Sequence, residues 1–114
     1  MSSQSEVMHC YERIALLAEQ MLSLARSCQW GGLPAHEAMY SGMVDRLKEI
    51  EPLESLHEEQ VARKYWLLSR IASYQAEISS LVMPQLQHLG EMLRSLEQQE
   101  NLQKAYGQHS DIRL

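Results

Sequence analysis

Five histidines, two cysteines and fifteen acidic residues are the side chains from which this chain could build a metal centre or an acid–base site. A helical zinc site needs two histidines four residues apart, so that both rings leave the same face. His9, His36, His57, His88 and His109 include no such pair. His36-Glu37 opens like a zinc-protease motif, but Tyr40 stands where the second histidine belongs. His9 beside Cys10 is not a thiolate–imidazolium pair, because adjacent residues on a helix point about 100° apart. His57-Glu58-Glu59 reads as acids complementing the dipole at a helix start. The chain has neither a phosphate-cradling glycine loop nor a G-x-S-x-G elbow. These residue types and spacings predict no enzyme, no metal and no cofactor.

The elements that would carry such residues are helical. Cys10, Ile14, Leu17, Met21, Leu24 and Cys28 recur at intervals of four and three, a period of 3.5 that marks near-parallel helix packing. Tyr11, Ala15, Ala18, Leu22 and Ala25 broaden that seam, so this helix, about 4–29, should touch more than one neighbour. Ser3 and Glu6 have capping-box spacing at its start. The two cysteines would lie about 27 Å apart on it, too far for a disulfide, and are expected as packed thiols. Trp30-Gly31-Gly32-Leu33-Pro34 ends it and starts an antiparallel second helix, about 35–50, with Met39, Tyr40, Met43, Val44, Leu47 and Ile50 on one face. Gly42 is expected to mark a close helix approach. Glu51-Pro52 stops the second helix.

The third helix, about 55–99, is expected to be capped by Ser55 with Glu58 and interrupted by a kink or a break near Ser80 to Pro84. At 1.5 Å per residue it would span roughly 65 Å, longer than anything the chain can lay against it. A short helix, about 101–107, is expected between Asn101 and Gly107, with residues 108–114 frayed. Alone it is too short to be stable, so Leu102, Ala105 and Tyr106 should dock on a surface. The predicted fold is all-α: one domain, an antiparallel bundle of three main helices plus a short C-terminal helix.

With ten basic and fifteen acidic residues the net charge is −5. Arg63, Lys64 and Arg70 form the only basic group, which argues against direct nucleic-acid binding. No apolar run is long enough to span a bilayer, and no leader segment is apparent, so a cytoplasmic location is expected.

Tyr11-Glu12-Arg13-Ile14-Ala15-Leu16-Leu17, then Met21-Leu22-Ser23-Leu24-Ala25 and Trp30, resemble the opening of the flagellar protein FliT family. Tyr40 and the segment Asn101 to Gly107, with its Ala105-Tyr106-Gly107 ending, are also similar to that family. The resemblance implies a cytoplasmic chaperone of flagellar type III export that binds the filament-cap protein FliD. It also implies contacts with the export ATPase and its FliJ-type partner, and with FlhC of the FlhDC regulator. The family's last short helix regulates partner access. Leu67, Ile71, Tyr74, Ile78 and Leu81 are the expected client contacts, and Leu102, Ala105 and Tyr106 the expected gate. The alternative is a structural module whose surplus apolar face forms a homodimer.

Overall fold

The computed structural model describes the backbone of residues 5–113 and the side chains of residues 5–106. It is all-α: α1 Glu6–Arg26, α2 Leu33–Ile50 and α3 Glu58–Arg113, with single 3-10 turns at Trp30–Gly32 and Glu51–Leu53. The chain divides into two units, Met1–Leu81 and Val82–Leu114.

In the first unit α1 is the central helix. Val7, Cys10, Tyr11, Ile14, Leu17, Ala18, Met21, Leu22 and Ala25 are all buried, whereas α2 buries only Leu47 and α3 buries Leu67, Ile71 and Ile78. The 3.5-residue seam therefore lies between two neighbours, as its breadth required. Glu6 pairs with Arg46, so α2 runs antiparallel to α1. Glu12 meets Arg63 and Arg26 meets Glu77, so α3 runs parallel to α1.

Both ends of α1 differ from the expected punctuation. Ser3 lies outside the described residues; the N-cap is Ser5, whose Oγ accepts from the Met8 N–H at 3.0 Å. Glu54, in the link between α2 and α3, places its carboxylate on the same helix start: the Val7 N–H donates to it at 3.4 Å and the Ser5 hydroxyl donates to its second oxygen. An anion there complements the unsatisfied N–H groups and the helix dipole.

At the other end α1 stops at Arg26, before the glycines. The Cys28 N–H donates to the Ala25 carbonyl at 3.2 Å and the Gln29 N–H to the Leu24 carbonyl at 2.8 Å, the paired bonds of a Schellman terminus. Its left-handed residue is Cys28, at φ 58°. The cysteine is thus exposed, not packed on the seam, while Cys10 is buried as expected. A side chain with a Cβ is disfavoured in that conformation and glycine is not. Cys28→Gly is expected to raise stability by about 0.5–1 kcal/mol, read as a higher urea midpoint at unchanged slope.

The second helix has Pro34 in its first turn, where no hydrogen bond is forfeited. Gly42 is exposed, and a Cβ built there would meet nothing within 4 Å; it is not a point of close approach. Gly32 is tighter, with Leu24 Cδ1 at 3.3 Å from such a Cβ.

The third helix starts three residues later than expected. The His57 carbonyl accepts from the Val61 N–H at 2.9 Å, and the His57 N–H donates to Gln60 Oε1 at 2.8 Å. Gln60 reaching back to His57, rather than Glu58 to Ser55, supplies one half of a capping box. Pro84 lies inside the helix, without a break. Ser80, whose carbonyl loses its partner to Pro84, is exposed, so water can satisfy that oxygen.

In the second unit α3 continues to Arg113, passing through Asn101 and Gly107. The expected short helix at 101–107 and the frayed segment after it are one continuous run of α3. Leu114 lies outside the described residues.

Candidate functional site

The third helix presents three faces within the first unit, set by its rotation of about 100° per residue. One face points inward. Leu67 is 2% exposed, and Ile71 and Ile78 are buried with it; Leu67 and Ile71 join Val7, Cys10, Tyr11, Ile14 and Leu47 in one cluster. Tyr74 and Leu81 are half-buried. Of the five residues expected to hold a client, three are core residues of the bundle and two line its edge. Their spacing was that of a helix face, and the face turns inward because α1 and α2 bury it.

A second face meets α1 and is polar. Arg63 makes a bidentate pair with Glu12 at 2.8 and 3.0 Å, and Arg26 makes one with Glu77 at 2.7 and 2.8 Å. The hydrogen bonds from Arg63 and Arg26 hold the Glu12 and Glu77 carboxyls below their ordinary range. Between these clasps the Tyr74 hydroxyl donates to Glu19 at 3.3 Å and accepts from Arg70 at 3.0 Å. Nearer the start of α3, Glu51 accepts from the Tyr11 hydroxyl at 2.7 Å and from Lys64 at 2.6 Å. Partial burial works against the Glu51 charge, but those two hydrogen bonds outweigh it and hold its carboxyl low. Burial, then the bond to Glu51, pushes the Tyr11 phenol up. Apart from Arg70 and Tyr74, which are four residues apart on one helix, no sequence signal marks these pairs, because the partners lie 13 to 55 residues apart.

The third face is apolar and exposed. Val61, Tyr65 and Leu68 lie on it, at helical spacing. Leu53, in the preceding link, is 84% exposed, and Met39 on α2 is also exposed.

In the second unit the apolar residues follow one rule. Val82, Leu86, Leu89, Leu93 and Leu96 repeat at intervals of four, three, four and three. That is the seam by which one helix receives another. Val82 is half-buried and the four leucines are each more than half exposed, with Met83 and Met92 beside them. Leu102, Ala105 and Tyr106, expected as a docked gate, are exposed on the same helix.

Among the described residues no three or more His, Cys, Asp or Glu side chains group so as to hold a metal ion. No described helix is long and apolar enough to cross a membrane. The candidate site is the exposed apolar surface of α3: a flank in the first unit, and a 3.5-residue seam in the second.

Comparison with known proteins finds sequence relatives and a solved structure of similar fold. The sequence model of the family described as "Flagellar protein FliT" matches residues 8–108. A flagellar protein FliT from Photorhabdus laumondii is 30% identical over 110 residues, covering 95% of this chain and 86% of the relative. One from Cronobacter sakazakii is 29% identical over 102 residues, covering 88% and 82%. The crystal structure of flagellar protein FliT from Bordetella bronchiseptica is similar with a TM-score of 0.70 at 35% identity, covering 77% of this chain and 99% of that one.

Proposed function

The chain belongs to the flagellar protein FliT family, and on that premise we propose that it is a cytoplasmic chaperone of flagellar type III export that binds the filament-cap protein FliD before secretion. The role is non-enzymatic: the protein holds a client rather than transforming one. The observation that carries this reading is the uncovered seam Val82, Leu86, Leu89, Leu93 and Leu96. A helix with such a seam is completed by an amphipathic segment laid along it, with anchors at i, i+3, i+4 and i+7. The client contacts are accordingly assigned to this seam and to Val61, Tyr65 and Leu68, in place of Leu67, Ile71 and Ile78.

The same reading gives the protein the export ATPase, its FliJ-type partner and FlhC of the FlhDC regulator as further partners. Binding FlhC would make it a negative regulator of flagellar genes. Leu102 and Tyr106, exposed apolar residues beyond the seam, would limit client access when the last turns of α3 part from the helix and fold back over the seam. A tail that competes weakly needs little energy, since about 1.4 kcal/mol shifts an open population tenfold.

The test is capture of purified FliD by the full chain and by a chain ending at Glu100. Saturable capture by the full chain is expected, with tighter capture after truncation. Failure of both to bind FliD would overturn the chaperone reading; equal binding would remove only the gate. Self-association through the seam is the second reading, favoured by the same four–three spacing. A stable dimer by sedimentation that captures no FliD would establish it.

A further inference from the structure

The α1-facing side of α3 carries a feature that neither the seam nor the apolar flank uses. Trp66 is 51% exposed, and two guanidiniums lie over its ring: Arg63 at 4.5 Å and Arg70 at 5.5 Å from the centroid. Arg70 also lies 5.3 Å from the Tyr74 ring centroid. Positions 63, 66, 70 and 74 form a ladder of alternating cations and aromatics along one strip of the helix. The two arginines differ in what remains to them. Arg63 spends its fork on Glu12. Arg70 makes no ion pair among the described residues; one N–H reaches the Tyr74 hydroxyl. Glu19, the nearby acid, is occupied as the acceptor of that hydroxyl.

A guanidinium has five N–H donors in a planar fork that matches a carboxylate. Arg70 therefore holds an exposed, oriented fork with most of its donors unspent. Its cation–π contacts with Trp66 and Tyr74 and its bond to the Tyr74 hydroxyl favour this placement, which lowers the cost of ordering it for a partner. Two hollows meet at this point. One, of about 200 Å³, runs past Ala15, Trp66 and Arg70; the other, of about 780 Å³, runs past Arg70, Ser73 and Ser23. Glu19, Arg70 and Tyr74 line both. Arg26, Arg63 and Arg70 line these hollows with Glu12, Glu19 and Glu77; Glu12 and Glu77 are spent on Arg63 and Arg26, which leaves Arg70 as the arginine of the three without an ion pair among the described residues. Trp, Tyr and Arg are the residue types enriched among those that dominate binding energy at protein interfaces; here Trp66 and Arg70 are exposed and Tyr74 is half-buried.

We propose that the Trp66–Arg70–Tyr74 ladder is a second protein-docking site, which receives a partner segment carrying a carboxylate next to a large apolar side chain. The carboxylate takes the open fork of Arg70, and the apolar group lies on the free part of the Trp66 indole. The site is separate from the apolar flank and from the 82–96 seam, and it does not depend on the chaperone reading.

The test uses the full chain and follows the two indole N–H signals by NMR, with Trp30 as internal reference. Three probes are titrated: a twelve-residue peptide alternating Glu with Leu and Phe, its Lys-for-Glu counterpart, and a twelve-nucleotide single strand of thymidine. The acidic peptide is expected to move the Trp66 signal saturably and leave Trp30 in place. Arg70→Gln should weaken that binding at least tenfold, and Arg70→Lys should restore little of it, because a point charge does not replace a fork. Both variants are at an exposed position and should melt as the parent does. No shift at Trp66, equal binding by Arg70→Gln, or equal binding of the lysine peptide would overturn the proposal. Tighter binding of the thymidine strand would overturn it too, and would identify a base-stacking platform instead.

Discussion

Leu17→Ala is expected to destabilise the bundle by about 3 kcal/mol or more, within the 2–5 kcal/mol typical of buried leucines. Leu17 is fully buried in the middle of α1, the helix that supplies most of the core. Truncation there leaves a void in the buried face of α1, between Ile14, Ala18 and Met21, which are buried beside it. Small domains have only about 5–15 kcal/mol of stability in all. A loss of this size should lower Tm by roughly 12–24 °C for a bundle of about 80 residues, measurable as loss of the helical circular-dichroism signal. Leu16, one residue away, is 42% exposed; Leu16→Ala is the control and should change Tm by only a few degrees. Equal effects at the two positions would contradict the assigned phase of α1.

Replacing Leu86 and Leu93 together by aspartate is expected to abolish capture of FliD while leaving the bundle's melting unchanged. Each leucine is about half exposed, so neither supports the core of the first unit. Burial against a client helix would contribute about 1.5–3 kcal/mol per side chain. Losing both corresponds to roughly a hundred- to ten-thousandfold weaker binding. Binding would be read by calorimetry against purified FliD, and folding by the thermal melt. If the double variant bound FliD as the parent does, the seam would not be the client site, and the flank at Val61, Tyr65 and Leu68 would take its place.

How much of this was legible in the sequence varies by helix, for physical reasons. The first helix is used on one broad face along its whole length, so its period alone locates the buried residues. In α3 two apolar rows, one through Leu67, Ile71 and Ile78 and one through Val61, Tyr65 and Leu68, have the same helical spacing. Only the placement of α1 and α2 decides which row goes inside. That placement is fixed in part by pairs such as Glu12–Arg63, which are 51 residues apart and carry no local pattern. Punctuation misled at both ends of the chain. Asn101 and Gly107 looked like a cap and a stop, yet each costs a helix only about 0.5–1 kcal/mol, and with no proline after them α3 runs on. The end of α1 was hidden because a cysteine occupies the left-handed position usually given to glycine. The surface character of the site was legible as an apolar surplus; its division between two units was not.

The burial of α1 between partners that follow it in the chain has a consequence for synthesis. At 5–20 residues per second, the last residue of α1 is made roughly 2–10 s before Leu67, Ile71 and Ile78. Through that interval its broad apolar face has at most α2 to lie against. The helix that contributes most to the finished core is thus the one left longest unfinished during translation. Glu54, arriving just ahead of α3, places its carboxylate on the first turn of α1. The earliest-made end of the bundle is fastened by the connection that delivers its last partner.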